Sequence, residues 1–162
     1  MKQLIYILFL YTAIGTAQNS SFDAMINNTL QKSIPFITAK DLLNNYDNYT
    51  ILDTREIDEY NTSHLKNAIH IGYNHFNSDK TTSTLNTNQP VVVYCSVGYR
   101  SEKIAEKLHK KGYTVYNLYG GIFNWKNEKN TVVDSSGQKT NNVHCYNKEW
   151  SKWLTNGVKI YE

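Results

Sequence analysis

The sequence contains little cysteine and little proline, with two residues of each among 162. It has no Cys-x-x-Cys or His-x-x-x-His pair, so it predicts no metal site, and we expect no cofactor. The lysines are scattered and the formal net charge is only +3, which argues against a nucleic-acid partner. Neither an internal repeat nor an interdomain linker is visible, so the length suits one domain after the first segment is set aside.

Long hydrophobic runs are also scarce, and the longest lies at the N-terminus. Met1-Lys2-Gln3 is followed by the apolar run Leu4–Ile14 and by small residues up to Ala17. This run is too short to span a bilayer, and the layout is typical of a secretory signal peptide. We therefore expect residues 1–17 to be removed, leaving an exported protein (periplasmic or secreted) without a stable membrane anchor. An uncleaved anchor or a buried N-terminal helix is the alternative.

Beyond this segment, strand patterns alternate with helix patterns. The strands are expected at Thr50–Asp53, Ala68–Ile71, Val91–Tyr94 and Val115–Leu118. The helices are expected around Phe22–Leu30, after a Thr38 cap, from Glu56, over Ser101–Lys111, after Gly120-Gly121 and around Tyr146–Leu154. Alternation of this kind predicts an α/β fold with a central, mainly parallel sheet flanked by helices.

The same patterns suggest how the chain is divided. Residues 18–33 form a polar lead-in, residues 34–126 the α/β domain, and residues 127–162 a C-terminal extension that packs on it. Asn77–Asn88 and Asn127–Asn142 are polar and are expected to be irregular. In the Ser101–Lys111 helix, Glu102 is expected to face solvent with the other charged residues.

The chemistry concentrates just after the buried strand Val91–Tyr94. Cys95 follows it, and a short loop leads to a helix for which Ser101 is a suitable N-cap. Backbone N–H groups and the positive end of a helix meet there, which favours a thiolate and an anionic ligand. Gly98 allows the positive φ that such a loop requires. The residues expected to bind the anion through this loop are Ser96, Val97, Gly98, Tyr99, Arg100 and Ser101.

Three blocks of sequence then occur in a familiar order. They are Ile51–Glu56 with Glu59-Tyr60 and Ser63–Ala68, the loop Cys95–Arg100, and Val115–Ile122 with Trp125. Together they resemble the signatures of the rhodanese domain. Ser63 stands where that family usually has glycine, and Lys66-Asn67 replaces a common proline-glycine.

The resemblance implies a three-layer rhodanese-like fold and a sulfurtransferase activity. Cys95 would be the nucleophile that takes sulfane sulfur from a small anionic donor such as thiosulfate and carries it as a persulfide. The acceptor would be cyanide, a thiol or another protein. Arg100 would grip the anionic donor, or else form a salt bridge that fixes the loop. The resemblance also places Arg55 among the anion-binding residues, although a structural pair with a carboxylate is the alternative. Asp53 and His64 are expected to be structural.

Two other classes of function compete with this one. A cysteine phosphatase or arsenate reductase also uses a cysteine, a backbone anion cradle and an arginine, but its loop has one residue more between cysteine and arginine. A non-enzymatic module for sulfur carriage, partner binding or redox sensing is the second. Cys95 and Cys145 also allow a structural or a redox-sensing disulfide.

Overall fold

The computed structural model of the protein describes residues 21–161. The predicted signal peptide, residues 1–17, lies outside the described residues. The chain divides into two compact units, the first ending at Gln31 and the second beginning at Lys32. In the first unit, residues 21–29 are helical (α1), where a helix is predicted. None of the helices within the described range has the length and apolar character to cross a membrane.

The second unit is built on a sheet of five parallel strands. These are β1 (Phe36–Ile37), β2 (Thr50–Asp53), β3 (Ile69–His70), β4 (Val91–Tyr94) and β5 (Val115–Leu118). Their order across the sheet is β1-β5-β4-β2-β3, and every neighbouring pair is parallel. The predicted central parallel sheet is therefore confirmed, and the predicted strands overlap β2, β3, β4 and β5.

Strand β4 lies at the centre of the sheet and all four of its residues are buried. Val91 and Val93 belong to a core cluster with Ile104 and Leu108. Because side chains alternate along a strand, Val92 and Tyr94 point to the opposite face of the sheet. Apolar burial on both faces is what an uninterrupted β-branched run requires, and it fixes the position at which the chain leaves the sheet.

Helices join and cover the strands. They are α2 (Ala39–Asn44), α3 (Ile57–Thr62), α4 (Ser78–Thr82), α5 (Tyr99–Lys110) and α6 (Gly121–Asn127), with a 3-10 turn at Tyr46–Asn48. Thr38 caps α2 by accepting a hydrogen bond from the Asp41 N–H, as its sequence predicts. The Asn77–Asn88 segment is not wholly irregular, because the Asn77 side chain caps α4 by accepting a hydrogen bond from the Lys80 N–H.

Helix α5 differs from its prediction at two positions. It begins at Tyr99 rather than after Ser101, because Gly98 adopts a φ of 114° and ends the loop earlier. Ser101 lies inside the first turn, where its hydroxyl donates to the Gly98 carbonyl oxygen. Glu102 was expected to face solvent but is buried, and its carboxylate accepts a hydrogen bond from the Ser33 N–H.

The C-terminal segment is more regular than its polar composition suggests. Strands β6 (Val132–Val133) and β7 (Lys139–Thr140) form an antiparallel pair, and β8 (Asn142–His144) pairs in parallel with β9 (Val158–Ile160). A backbone bridge joins His64 to Val133. The predicted helix around Tyr146–Leu154 is reduced to the short α7 (Lys148–Ser151), because Tyr146 has a φ of 63° and cannot belong to it.

Candidate active site

Cys95 lies directly after the central strand β4, and only 1% of its surface is exposed. Its Sγ accepts a hydrogen bond from the Gly98 N–H at 3.1 Å. The positive φ predicted for Gly98 is confirmed, and it allows the loop to fold back toward the sulfur. The loop therefore supplies a backbone donor to Sγ at the beginning of helix α5.

The first turn of helix α6 supports this loop through backbone hydrogen bonds. The Ile122 N–H donates to the Cys95 carbonyl oxygen at 2.9 Å, and the Phe123 N–H donates to the Ser96 carbonyl oxygen at 3.1 Å. Gly121 has a φ of +56°, and a Cβ atom there would overlap both carbonyl groups. A glycine is therefore required for α6 to approach the loop this closely.

Arg100 closes the loop through a carboxylate on helix α3. Its Nη1 and Nη2 atoms donate to the two carboxylate oxygens of Glu59 at 2.6 and 2.7 Å, and Nη2 also donates to Ser96 Oγ at 3.0 Å. Burial raises the pKa of Glu59, but the hydrogen bond and charge of Arg100 outweigh it, so the pKa is lowered. The structure thus contains the salt bridge raised as the alternative role of Arg100.

Arg100 carries a positive charge beside the loop. Burial lowers the pKa of Arg100. The Glu59 hydrogen bond and the electrostatic attraction to Cys95 raise this pKa by a larger amount, so the net direction is upward. The guanidinium therefore stays cationic, and it lines the same cavity as Cys95. Glu59 is a site residue that was not predicted, although the Glu59-Tyr60 pair in the first sequence block was its signal.

Arg55 lies in a different environment. Its guanidinium is fully buried, donates to Asp53 Oδ2 and to the Ser63 carbonyl oxygen, both at 2.6 Å, and lies over the Tyr94 ring. It does not line the cavity beside Cys95. The predicted anion-binding role of Arg55 is therefore not supported, and the structure contains the carboxylate pair that was the alternative.

The remaining predicted residues divide between the loop and the framework. Asp53 holds its own turn by accepting a hydrogen bond from the Arg55 N–H at 2.9 Å. His64 stacks on Tyr60, and its Nδ1 lies 3.0 Å from the Tyr60 carbonyl oxygen, contacts that agree with the structural role expected of it. The Ser101 side chain is buried against Asn117, which leaves only its backbone for the predicted contact with an anion.

A cavity of about 270 Å³ opens beside Cys95. Its walls comprise the loop residues Cys95, Ser96, Val97, Tyr99 and Arg100, together with Glu56, Tyr73, Asn74, Tyr146 and Trp150. Most of the predicted loop is therefore brought together around one cavity. Tyr146 and Trp150 come from the C-terminal extension, which was expected to pack on the domain. Neither was predicted as a site residue.

Cys145 is buried and, like Cys95, is a free thiol in this structure. Burial raises the pKa of the Cys145 thiol. It is therefore expected to remain protonated at neutral pH, unlike a sulfur nucleophile. Among the described residues, no group of three or more His, Cys, Asp or Glu side chains is arranged to hold a metal ion.

Comparison with known proteins agrees with this geometry. Residues 38–128 match the rhodanese-like domain family. The chain is 32% identical over 98 residues to the thiosulfate sulfurtransferase GlpE of Coxiella burnetii, covering 60% of this chain and 89% of that protein. It is 33% identical over 97 residues to the putative sulfur carrier protein YrkF of Bacillus subtilis, covering 57% of this chain and 51% of that one.

A third curated relative is the tRNA uridine(34) hydroxylase of Aster yellows witches'-broom phytoplasma. It is 39% identical over 80 residues, which are 46% of this chain and only 26% of the hydroxylase. Among solved structures, a rhodanese-related protein of Thermoplasma volcanium matches with a TM-score of 0.56 and 31% identity, over 61% of this chain and 97% of that one. The chain therefore belongs to the rhodanese-like domain family.

Proposed function

We propose that the protein is a sulfurtransferase in which Cys95 takes sulfane sulfur from thiosulfate and passes it to cyanide or to a thiol. The observation that supports this most directly is the Gly98 N–H donor at 3.1 Å from Cys95 Sγ, at the edge of an open cavity. Backbone donors of this kind stabilise negative charge on sulfur without a metal or a separate base. The Coxiella relative, named a thiosulfate sulfurtransferase, supports the choice of donor.

The proposed reaction has two steps, each a displacement at sulfur. In the first, the Cys95 thiolate attacks the outer sulfur of thiosulfate, the S–S bond of the donor breaks, and sulfite leaves with its electron pair. In the second, the acceptor attacks the outer sulfur of the Cys95 persulfide, and the breaking S–S bond returns its electron pair to Sγ. Covalent catalysis of this type gives ping-pong kinetics.

The loop residues have distinct roles in this scheme. The Gly98 N–H stabilises the Cys95 thiolate before it attacks the donor. It does so again in the second step, where this thiolate is the leaving group. Arg100 keeps its position through Glu59 and contributes positive charge near the sulfur and the anionic donor. It acts without releasing Glu59, because both carboxylate oxygens occupy its donor fork.

The test is a thiosulfate:cyanide assay combined with intact-mass spectrometry after donor treatment. We expect thiocyanate production and an adduct of one sulfur atom on wild-type protein, and loss of both in Cys95→Ser. Cys145→Ser is the matched control, since it removes the other buried free thiol, and it should retain both. A folded, reduced wild-type protein that gives neither thiocyanate nor adduct would overturn the proposal.

A sulfur carrier is the second candidate, and the Bacillus relative named a putative sulfur carrier favours it. The two functions share the persulfide and differ in turnover. An adduct on Cys95 that is stable to cyanide and to small thiols, but is lost to a protein acceptor, would identify a carrier.

We further propose that residues 1–17 direct export and are removed, because Leu4–Ile14 is an apolar run of signal-peptide length. N-terminal sequencing of the protein expressed with its full chain should begin at Gln18. Recovery of the protein with Met1 at its N-terminus would contradict cleavage.

A further inference from the structure

The cavity above Cys95 has an aromatic wall, which we define as Tyr73, Tyr99, Tyr146 and Trp150. The family match ends at residue 128, so Tyr146 and Trp150 come from a segment beyond it. The cavity beside Cys95 is thus completed by two side chains that lie outside the part of the chain matching the family. Apolar and aromatic walls with a few polar groups are typical of small-molecule sites.

Tyr146 occupies its place at a conformational cost. Its φ of 63° lies in the left-handed region, which bulky side chains rarely adopt. The conformation is held by the Tyr146 N–H, which donates to His144 Nδ1 at 3.1 Å, and by the Asn147 N–H, which donates to the Cys145 carbonyl oxygen at 2.7 Å. Strained residues that are fixed in this way concentrate at ligand sites.

The result of this conformation is the position of the Tyr146 ring. Its centroid lies 5.3 Å from Arg100 Cζ, so the ring covers one face of the guanidinium. The Arg100 N–H donors, which lie in the plane of the guanidinium, are engaged by Glu59 and Ser96. A molecule that approaches Cys95 therefore meets the Tyr146 ring next to Arg100, since both line the cavity.

The anchor of Tyr146 is itself fixed within the C-terminal segment. His144 ends strand β8, which pairs with β9, and the Cys145 N–H continues the ladder by donating to the Ile160 carbonyl oxygen at 2.9 Å. The His144 side chain is 4% exposed. The backbone that carries Tyr146 is therefore anchored by the pairing of β8 with β9.

We propose that Tyr146 and Trp150 select the sulfur acceptor, and that this acceptor is a small organic thiol with an apolar or aromatic body. This rests on the proposed sulfurtransferase function. The volume of about 270 Å³ suits a small molecule. In the transfer, the acceptor sulfur bonds to the outer sulfur of the Cys95 persulfide anion and the bond to Sγ breaks. The electron pair returns to Sγ, and the acceptor's proton remains on the hydropersulfide that is released, so no oxidant or reductant is consumed.

The test measures single-turnover unloading of wild-type protein charged with thiosulfate. Intact mass follows the loss of the sulfur adduct against the concentration of benzyl mercaptan or 2-mercaptoethanol, two thiols of similar acidity that differ in the aromatic ring. We expect a half-saturating concentration about tenfold lower for benzyl mercaptan, because its ring contacts the aromatic wall. Cyanide unloading, which needs no wall, is measured in parallel.

Variants assign the preference to the wall. Tyr146→Ala and Trp150→Ala should each reduce the ratio between the two thiols to within about threefold. Tyr146→Phe keeps the ring and should keep the ratio. Trp153→Ala is the control, because this tryptophan belongs to the same segment but does not line the cavity. If Tyr146→Ala fails to fold, Trp150→Ala decides.

The outcomes separate the two proposals. Equal half-saturating concentrations for both thiols in wild type, with cyanide unloading intact, would overturn acceptor selection and leave the sulfurtransferase function standing. A preference that survives in both alanine variants would also overturn the role of the wall. Absence of the Cys95 adduct itself would overturn the proposed function, and the selection with it.

Discussion

Replacement of Glu59 by glutamine tests how the loop around Cys95 is held. Glu59 is 2% exposed and accepts hydrogen bonds from Arg100, from Ser96 Oγ and from the Glu56 N–H. Glutamine preserves the shape of the side chain but removes its charge and replaces one acceptor oxygen by a donor. Arg100 is then left as a buried cation whose carboxylate partner is gone.

The magnitude follows from burial. Removal of one partner from a buried ion pair costs about 3–5 kcal/mol, because the other charge is left uncompensated. The Arg100 side chain is 15% exposed, so water solvates part of it, and we expect the lower end, ~3 kcal/mol. In a protein of this size each kcal/mol lowers the melting temperature by roughly 2–4 °C. The Glu59→Gln variant should therefore melt roughly 6–12 °C below wild type at pH 7.

The pH dependence of this loss has a defined sign. The pKa of Glu59 is lowered in the folded protein from its ordinary value of 4.5. A carboxyl group with a lowered folded-state pKa contributes stability above pH 4.5, and this stability is lost as the pH falls through the folded-state pKa. Denaturant unfolding of wild type and variant should therefore differ most at pH 7 and converge in acid.

The control is Asp79→Asn, which removes a carboxylate from the solvent-exposed Lys111 pair at 2.8 Å. Exposed ion pairs contribute little, so its melting temperature should match that of wild type. A Glu59→Gln variant as stable as Asp79→Asn at pH 7 would refute the reasoning. A large difference that persists unchanged in acid would show that packing, and not charge, is responsible.

Two further predictions concern the support of the site. Gly121→Ala should lower the free energy of unfolding by about 1–3 kcal/mol and reduce sulfur transfer, because its Cβ would overlap the Cys95 carbonyl group. The control is Gly137→Ala, which is also at positive φ but in open space and should keep full activity. A fully active Gly121→Ala would contradict this role. Arg55→Lys loses the planar fork that binds Asp53, so chemical denaturation should show a loss of about 1–3 kcal/mol, while the KM for thiosulfate stays unchanged. A raised KM at unchanged stability would return Arg55 to the anion site.

Local sequence signals predicted the centre of the fold well. The uninterrupted apolar run Val91–Tyr94 predicted a strand buried on both faces, and it forms the central strand that positions Cys95. Gly98 was predicted at positive φ because no other residue type in the loop adopts it easily. The cap propensity of Ser101 predicts a helix that begins there, whereas the turn at Gly98 begins the helix at Tyr99.

Contacts between distant segments could not be predicted in this way. Glu59 pairs with Arg100 across 41 positions of sequence, and no periodicity reports such a partner. Tyr146 and Trp150 lie in a polar segment whose short strands β8 and β9 are stabilised by each other. Their place at the cavity depends on that pairing and on the left-handed conformation of Tyr146, which nothing in the local sequence indicates.

The hydrogen bond from the Ile122 N–H to the Cys95 carbonyl oxygen also has a consequence for the growing chain. The loop is supported by residues that are synthesised after it, and parallel strand pairing requires a long connection to close before its contacts form. A nascent chain that ends before Gly121 therefore carries Cys95 without this support. Under the proposed function, the loop around Cys95 is therefore complete for sulfur loading only after α6 has been synthesised and has docked.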